Sequence, residues 1–262
     1  MSFFASSPLT GIPYLQKIIY YMELIIEPTY EALGKRAAAD LLAIITVIKN
    51  PLICPTSGST PAALYRALVR MLQTQKIDYA HWRFVGLDEW SGMNGSHKGS
   101  CRDFVNEELF QPLGIREEMI CFFDGTAPDL ETECSHTEAF IQQHGPINVA
   151  IVGLGLNGHV GMNEPGTSPS MRSHVAQISE ETKQVGQKYF TEPKDLTQGL
   201  TLGLASLWDA DHIFLMANGP KKAPIVKRIV EEEPTETLPA TLLKAHADFR
   251  MYLDKDAASL IP

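Results

Sequence analysis

Short apolar runs alternate with amphipathic stretches along nearly the whole chain, and this alternation restricts the fold more than any other feature. Met22–Glu27 reads as a strand. Tyr30–Lys49 reads as a helix capped by Thr29, with Leu33, Ala37, Leu41, Ile44, Ile45 and Ile48 on one face. Further strands are expected at Leu52–Cys54, Trp82–Leu87, Met119–Phe123, Asn148–Val152, His212–Ala217 and Arg250–Leu253. Between them, helices are expected at Pro61–Gln75, from a Ser100 cap to Leu113, at Leu130–Gln143 and from about Lys221 to Glu231. Strands alternating with helices argue for parallel pairing, because a helical crossover can return each strand to the same end of the sheet. The expected fold is therefore α/β: a single domain with an open, mostly parallel sheet and helices on both faces.

The chain has 262 residues, room for one large domain, and no linker, repeat or low-complexity tract divides it. We assign residues 22–262 to that domain. Met1–Tyr21 lacks the basic start and clean apolar core of a signal peptide. It is expected to be an appendage, the product of an upstream start codon, or an arm that packs on a neighbouring subunit. The net charge of −9 argues against a nucleic-acid surface but leaves room for a local basic pocket. No apolar run is long enough to span a bilayer. Cys54, Cys101, Cys121 and Cys134 show no C-x-x-C spacing, so reduced thiols in a cytoplasmic protein are expected, with no metal cluster.

Four segments carry polar chemistry, and each follows a predicted strand. Gly153 to Gly166 packs His159, Glu164, Asn157 and Asn163 among glycines directly after Val149–Val152. His159 and Glu164 can share a proton near neutral pH. Thr56–Pro61 combines Gly58 with the hydroxyls of Ser57, Ser59 and Thr60 at a helix start, an arrangement suited to a phosphate and equally to an ordinary capped turn. It is not a Walker A loop, since no lysine follows the glycine. Asp88 and Glu89 are adjacent carboxylates that would raise at least one pKa if partly buried, as a general base requires; an exposed acidic turn is the bland alternative. Lys221 or Lys222 can reach an anion over the sheet edge, and Lys188 is a third candidate cation. Strand ends of an open parallel sheet line one edge, so the four segments can converge on one crevice. Together they suit proton transfer on a sugar phosphate without cofactor or metal.

At this point the sequence resembles the glucosamine-6-phosphate deaminase family, within the Rossmann-like group that also holds 6-phosphogluconolactonases. The matching segments are Ser57–Pro61, Leu87–Trp90, Gly153–Gly166, Leu200–Gly203, Gly219–Lys222 and Leu238–Leu242. The Asn163-Glu-Pro-Gly166 ending is typical of the deaminases and missing from the lactonases. The resemblance implies Asp88 as the base moving a proton between C2 and C1. It implies His159 as the ring-opening group, with Glu164 as partner and Asn157 orienting the imidazole. It implies Ser57, Gly58, Ser59, Thr60, Lys222 and Lys188 as the phosphate site, where Lys188 replaces the usual arginine and gives a point-charge contact instead of a fork.

One departure shifts the expected substrate. The glucosamine enzymes carry aspartate where this chain has Asn157, whereas galactosamine-6-phosphate isomerases carry Asn-Gly-His. The favoured expectation is thus conversion of galactosamine 6-phosphate to tagatose 6-phosphate and ammonia, with glucosamine 6-phosphate to fructose 6-phosphate as the alternative. A lactonase or a sugar-phosphate-sensing regulator module ranks lower; the latter needs a DNA-binding segment that Met1–Tyr21 is too short and too poor in basic residues to supply. The expected partner is a small sugar phosphate, with no nucleic acid and no membrane, in a monomer or homo-oligomer. Basic residues that bind an effector in regulated relatives match Arg172, but fall on His174 and Ala176 at two further positions, which implies an absent or weakened effector site.

Overall fold

The computed structural model describes residues 22–261; the N-terminal extension considered above lies outside them, so no role is assigned to it. The main sheet has seven parallel strands in the order β1-β10-β9-β6-β2-β3-β5. These are β1 (Met22–Glu27), β2 (Leu52–Cys54), β3 (Arg83–Val85), β5 (Ile120–Cys121), β6 (Val149–Gly153), β9 (His212–Ala217) and β10 (Phe249–Asp254). The central strand β6 explains the two-layer core. Val149 and Ile151 pack into one apolar cluster with α1 (Tyr30–Ile45) and α2 (Ser59–Gln75). Ala150 and Val152 pack into the other, with Leu204 and Leu207 of α7 (Leu204–Trp208) and Ile225, Val226 and Ile229 of α8 (Ala223–Glu231). A strand buried on both faces must be apolar throughout, which is why β6 shows no alternation in sequence.

From β2 the chain runs outward through β3 and β5, and from β6 it runs the other way through β9 and β10. Strand order therefore reverses between β2 and β6. A reversal leaves the loops after those two strands diverging to opposite faces, with a crevice between their C-terminal ends. This crevice holds the site.

Several expected boundaries move. The first helix ends at Ile45 instead of Lys49; the Thr46 hydroxyl bonds back to the Leu42 carbonyl, and Pro51 disfavours helix at the residue before it. The expected Ser100–Leu113 helix is three pieces: α3 (Cys101–Val105), a π-helical turn (Asn106–Phe110) and α4 (Gln111–Leu113), with Pro112 unable to donate a backbone bond. The helix after β9 opens with a 3-10 turn, Pro220–Lys222. A second sheet was not expected: β4 (Asp88–Trp90), β8 (Gln198–Thr201) and β7 (His174–Gln177) form a three-stranded antiparallel layer. It moves Asp88 from the end of a main-sheet strand to the start of β4, where it pairs with Thr201. The remaining helices are α5 (Leu130–His144) and α6 (Glu180–Gly186). No helix of the described residues is long and apolar enough to cross a membrane.

Candidate active site

A cavity of about 310 Å³ opens at the reversal point, and all four polar segments reach it. That volume sits at the low end of the ~300–1,000 Å³ usual for small-molecule sites. Ser57, Gly58, Ser59, Thr60, Asp88, Asn157, His159, Lys188 and Lys222 all line it. Glu164 does not line it, and neither does the exposed Lys221.

The first wall is the start of α2. Gly58 precedes the helix at φ 108°, a left-handed-side conformation open to glycine, and supplies no side-chain cap. The helix start therefore has no capping side chain, and its first residues line the cavity at the positive end of the helix dipole. Thr60 donates to the Asn218 side chain at 2.6 Å and ties this turn to the loop after β9. From that loop Lys222 bonds the Leu154 carbonyl. Burial and the nearby Lys188 charge lower its pKa to about 8. Burial also lowers Lys188. Both ammonium groups are disfavoured by burial, and an anion beside them would restore their charged form.

The second wall is Asp88. It is 7 % exposed, and its Oδ1 has no protein hydrogen-bond partner. Burial, then the adjacent Glu89 carboxylate, raise its pKa to about 7. Glu89 is fully buried but differently provided for: its oxygens accept the backbone N–H groups of Trp90, Cys101 and Arg102 at 2.9, 2.9 and 3.0 Å. Burial raises the Glu89 pKa too, but these three N–H donors oppose it, so of the two carboxyls the proton favours Asp88. An acid of this kind ionises near neutrality, as a base for carbon acids must.

The third wall is the loop after β6. Asn157 Oδ1 accepts from the His159 backbone at 3.1 Å and lies 2.7 Å from His159 Nδ1, while its Nδ2 donates to Glu164 Oε2 at 2.7 Å. Glu164 is 3.8 Å from the ring, so its link to His159 runs chiefly through the amide. Burial lowers the His159 pKa, against the pull of Glu164 and with the push of Lys222, and the ring is neutral at pH 7. Since Nδ2 faces Glu164, Oδ1 faces the ring and the imidazole proton sits on Nδ1. Nε2 is left with its lone pair. Gly155 makes room for this ring: a Cβ there would lie 2.3 Å from His159 Nδ1. The fully buried Asn163 pins the loop by donating to the Val160 and Leu202 carbonyls at 2.8 and 2.9 Å.

Sequence reasoning missed Cys101, Thr182 and Tyr189, which also line the cavity. The Cys101 thiol lies against Asp88 and Ser57, but burial pushes its pKa well up and leaves it an unreactive wall. Thr182 Oγ1 is 3.1 Å from His159 Nδ1. Both α6 and its 3-10 extension (Gln187–Tyr189) follow a weakly patterned stretch, so no periodic signal marked them. Arg172, the expected effector residue, bonds Asp209 at 2.6 Å and approaches Glu138 at 3.6 Å, and His174 is buried with Nδ1 2.9 Å from the Arg172 carbonyl.

Residues 28–252 match the family model of glucosamine-6-phosphate isomerases/6-phosphogluconolactonase. The chain belongs to that family. A glucosamine-6-phosphate deaminase of Thermoanaerobacter pseudethanolicus is 34% identical over 92% of this chain and 96% of its own length. One of Clostridium perfringens is 33% identical over 92% of this chain and all of its own. Among solved structures, a monomeric glucosamine-6-phosphate deaminase superposes with TM-score 0.88 at 32% identity, covering 91% of this chain and 100% of that one. The 6-phosphogluconolactonase of Trypanosoma brucei shares the fold, with TM-score 0.72 at 20% identity over 93% of this chain and 100% of its own. The chain is thus an enzyme of the deaminase/isomerase type acting on an aminosugar 6-phosphate. The galactosamine expectation drawn from Asn157 finds no support in these relatives. Asn157 itself has both ends of its amide engaged, by His159 and by Glu164.

Proposed function

We propose that this family member is a glucosamine-6-phosphate deaminase, yielding fructose 6-phosphate and ammonia. The observation that carries this reading is the joint presence, in one cavity, of a carboxyl group ionising near 7, a neutral imidazole with a free Nε2, and a cationic phosphate cradle. His159 Nε2 takes the proton of the anomeric hydroxyl and returns it to the ring oxygen as the C1–O5 bond breaks. Asn157 and Glu164 hold the ring in the required tautomer. Asp88 removes the C2 proton, and the electron pair forms the C1–C2 double bond as the C1 carbonyl opens and O1 takes a proton from the substrate's ammonium group, which gives an enolamine. The same proton returns to C1 and leaves an iminium at C2. Water adds there and ammonia departs. C1 is reduced as C2 is oxidised, so the proposed route draws on no redox cofactor. Ser57, Gly58, Ser59, Thr60, Lys188 and Lys222 hold the phosphate.

Four free, buried thiols fit a reducing compartment, and we place the enzyme in the cytoplasm. No effector phosphate is proposed at Arg172, whose guanidinium is already paired with Asp209 and Glu138.

Ammonia release from glucosamine and galactosamine 6-phosphates, measured beside hydrolysis of 6-phosphogluconolactone, tests the proposal. A higher kcat/KM on glucosamine 6-phosphate with no lactone turnover supports it. A galactosamine preference would return the substrate to the galacto series, and lactone hydrolysis without ammonia release would move the protein to the lactonases.

A further inference from the structure

We infer that the Tyr189 hydroxyl is a ligand of the substrate phosphate, closing the cradle beside the start of α2. The inference deepens the reading above and rests on its phosphate site. Tyr189 ends the 3-10 turn after α6 and lines the cavity together with Gly58, Ser59, Lys188 and Lys222. Its hydroxyl lies 3.4 Å from the point a Cβ on Gly58 would occupy, directly beside the start of α2. A phenol O–H can donate as well as accept. Phosphate oxygens are acceptors only. Burial, with the nearby Cys101 and Asp88, pushes this phenol up to about 12, so it is a donor throughout the neutral range.

The ring has a second use. Lys188 Nζ lies 4.8 Å from its centroid, close enough for cation–π attraction to hold the ammonium at the cavity wall. Tyr189 therefore presents its own O–H and steadies the Lys188 charge beside it. The position of the turn is fixed by close packing on Gly99, where an added Cβ would fall 2.5 Å from the Tyr189 carbonyl. Lys188 on its flexible stem offers a point charge; a rigid phenol next to it supplies the direction that an ammonium lacks.

The test titrates inorganic phosphate into wild type, Tyr189→Phe and Tyr189→Leu by calorimetry, and measures kcat and KM on glucosamine 6-phosphate. Tyr189→Phe keeps the ring under Lys188 and removes only the hydroxyl. Its phosphate Kd and its KM are expected to rise about five- to tenfold, as for one hydrogen bond to a charged acceptor at a half-buried site, with kcat within about twofold. Tyr189→Leu is expected to lose more. Phosphate Kd and KM of Tyr189→Phe within twofold of wild type would overturn the inference and leave the deaminase assignment standing. Wild type that releases no ammonia, with Tyr189→Phe still weakening phosphate binding, would remove the assignment and leave Tyr189 as a phosphate ligand.

Discussion

The Asn157 amide bridges two groups that do not touch directly: its oxygen is 2.7 Å from His159 Nδ1, and its nitrogen is 2.7 Å from Glu164 Oε2. An amide relays orientation without carrying charge. Asn157→Asp would set a second carboxylate against Glu164, and one of the pair would take up a proton. The net charge near the ring would be unchanged, but part of it would move from Glu164, 3.8 Å from Nδ1, to the residue 157 oxygen 2.7 Å away, and the His159 pKa would rise. That variant is expected to keep activity within about tenfold, as an acceptor for Nδ1–H persists, while Asn157→Leu loses about 10²-fold in kcat. NMR titration of the His159 ring beside steady-state kinetics checks both. An unshifted His159 pKa in Asn157→Asp would show that the amide position does not report to the ring.

Asp88→Asn is expected to lower kcat by at least ~10³-fold while leaving phosphate binding within about twofold. The side chain is nearly isosteric, and the phosphate cradle lies on α2 and the loop after β9. Near-normal ammonia release would show that another group removes the C2 proton.

The pH dependence follows from Asp88 and Lys222. Asp88 acts as a base only when ionised, so kcat/KM should fall as pH drops through about 7. Glu89→Gln removes the neighbouring charge and should carry this acid limb to lower pH. Lys222 loses its proton near 8, so above that pH the cradle loses a charge and KM should rise. Stability runs against function here. The folded Asp88 pKa lies above its unfolded value, so between about pH 4 and 7 the native state binds a proton that the unfolded chain releases, and stability falls as pH rises across that window. Asp88→Asn should therefore melt at a higher temperature than wild type at pH 8, measured by calorimetry.

The main sheet was legible because buried parallel strands need apolar runs, and Val149–Val152 or His212–Ala217 cannot be mistaken for anything exposed. The cradle and the loop after β6 were legible because glycine and hydroxyl residues concentrate there. The small antiparallel sheet was not. Asp88–Trp90 and Gln198–Thr201 are short, and Glu89 is a buried carboxylate whose partners, the N–H groups of Cys101 and Arg102, are set by tertiary contact and leave no periodic trace. Tyr189 was missed for a similar reason: its turn is placed by packing on Gly99, not by its own sequence. The His159–Glu164 pairing read from the sequence stands at 3.8 Å, and the hydrogen-bond path through Asn157 that joins the two depends on how the loop folds back.

Gly155 tests whether His159 works by position. Any Cβ at residue 155 would lie 2.3 Å from the ring, far inside van der Waals contact, and the ring must swing or the loop must shift. The His159 backbone carbonyl accepts the Gly155 N–H at 2.9 Å, so the loop resists and the ring is what moves. A displaced ring loses its 2.7 Å contact with Asn157 Oδ1, and with it the fixed tautomer. Gly155→Ala is therefore expected to cost ~10²-fold in kcat, in line with an ångström-scale misplacement of a reacting group. The cost in melting temperature should be a few degrees, since the site is a loop at the sheet edge. Proton exchange between C2 and solvent, catalysed by Asp88 on the open-chain sugar, should survive better than turnover of the closed ring. Equal loss of both would assign the damage to the whole cavity and not to the ring-opening imidazole.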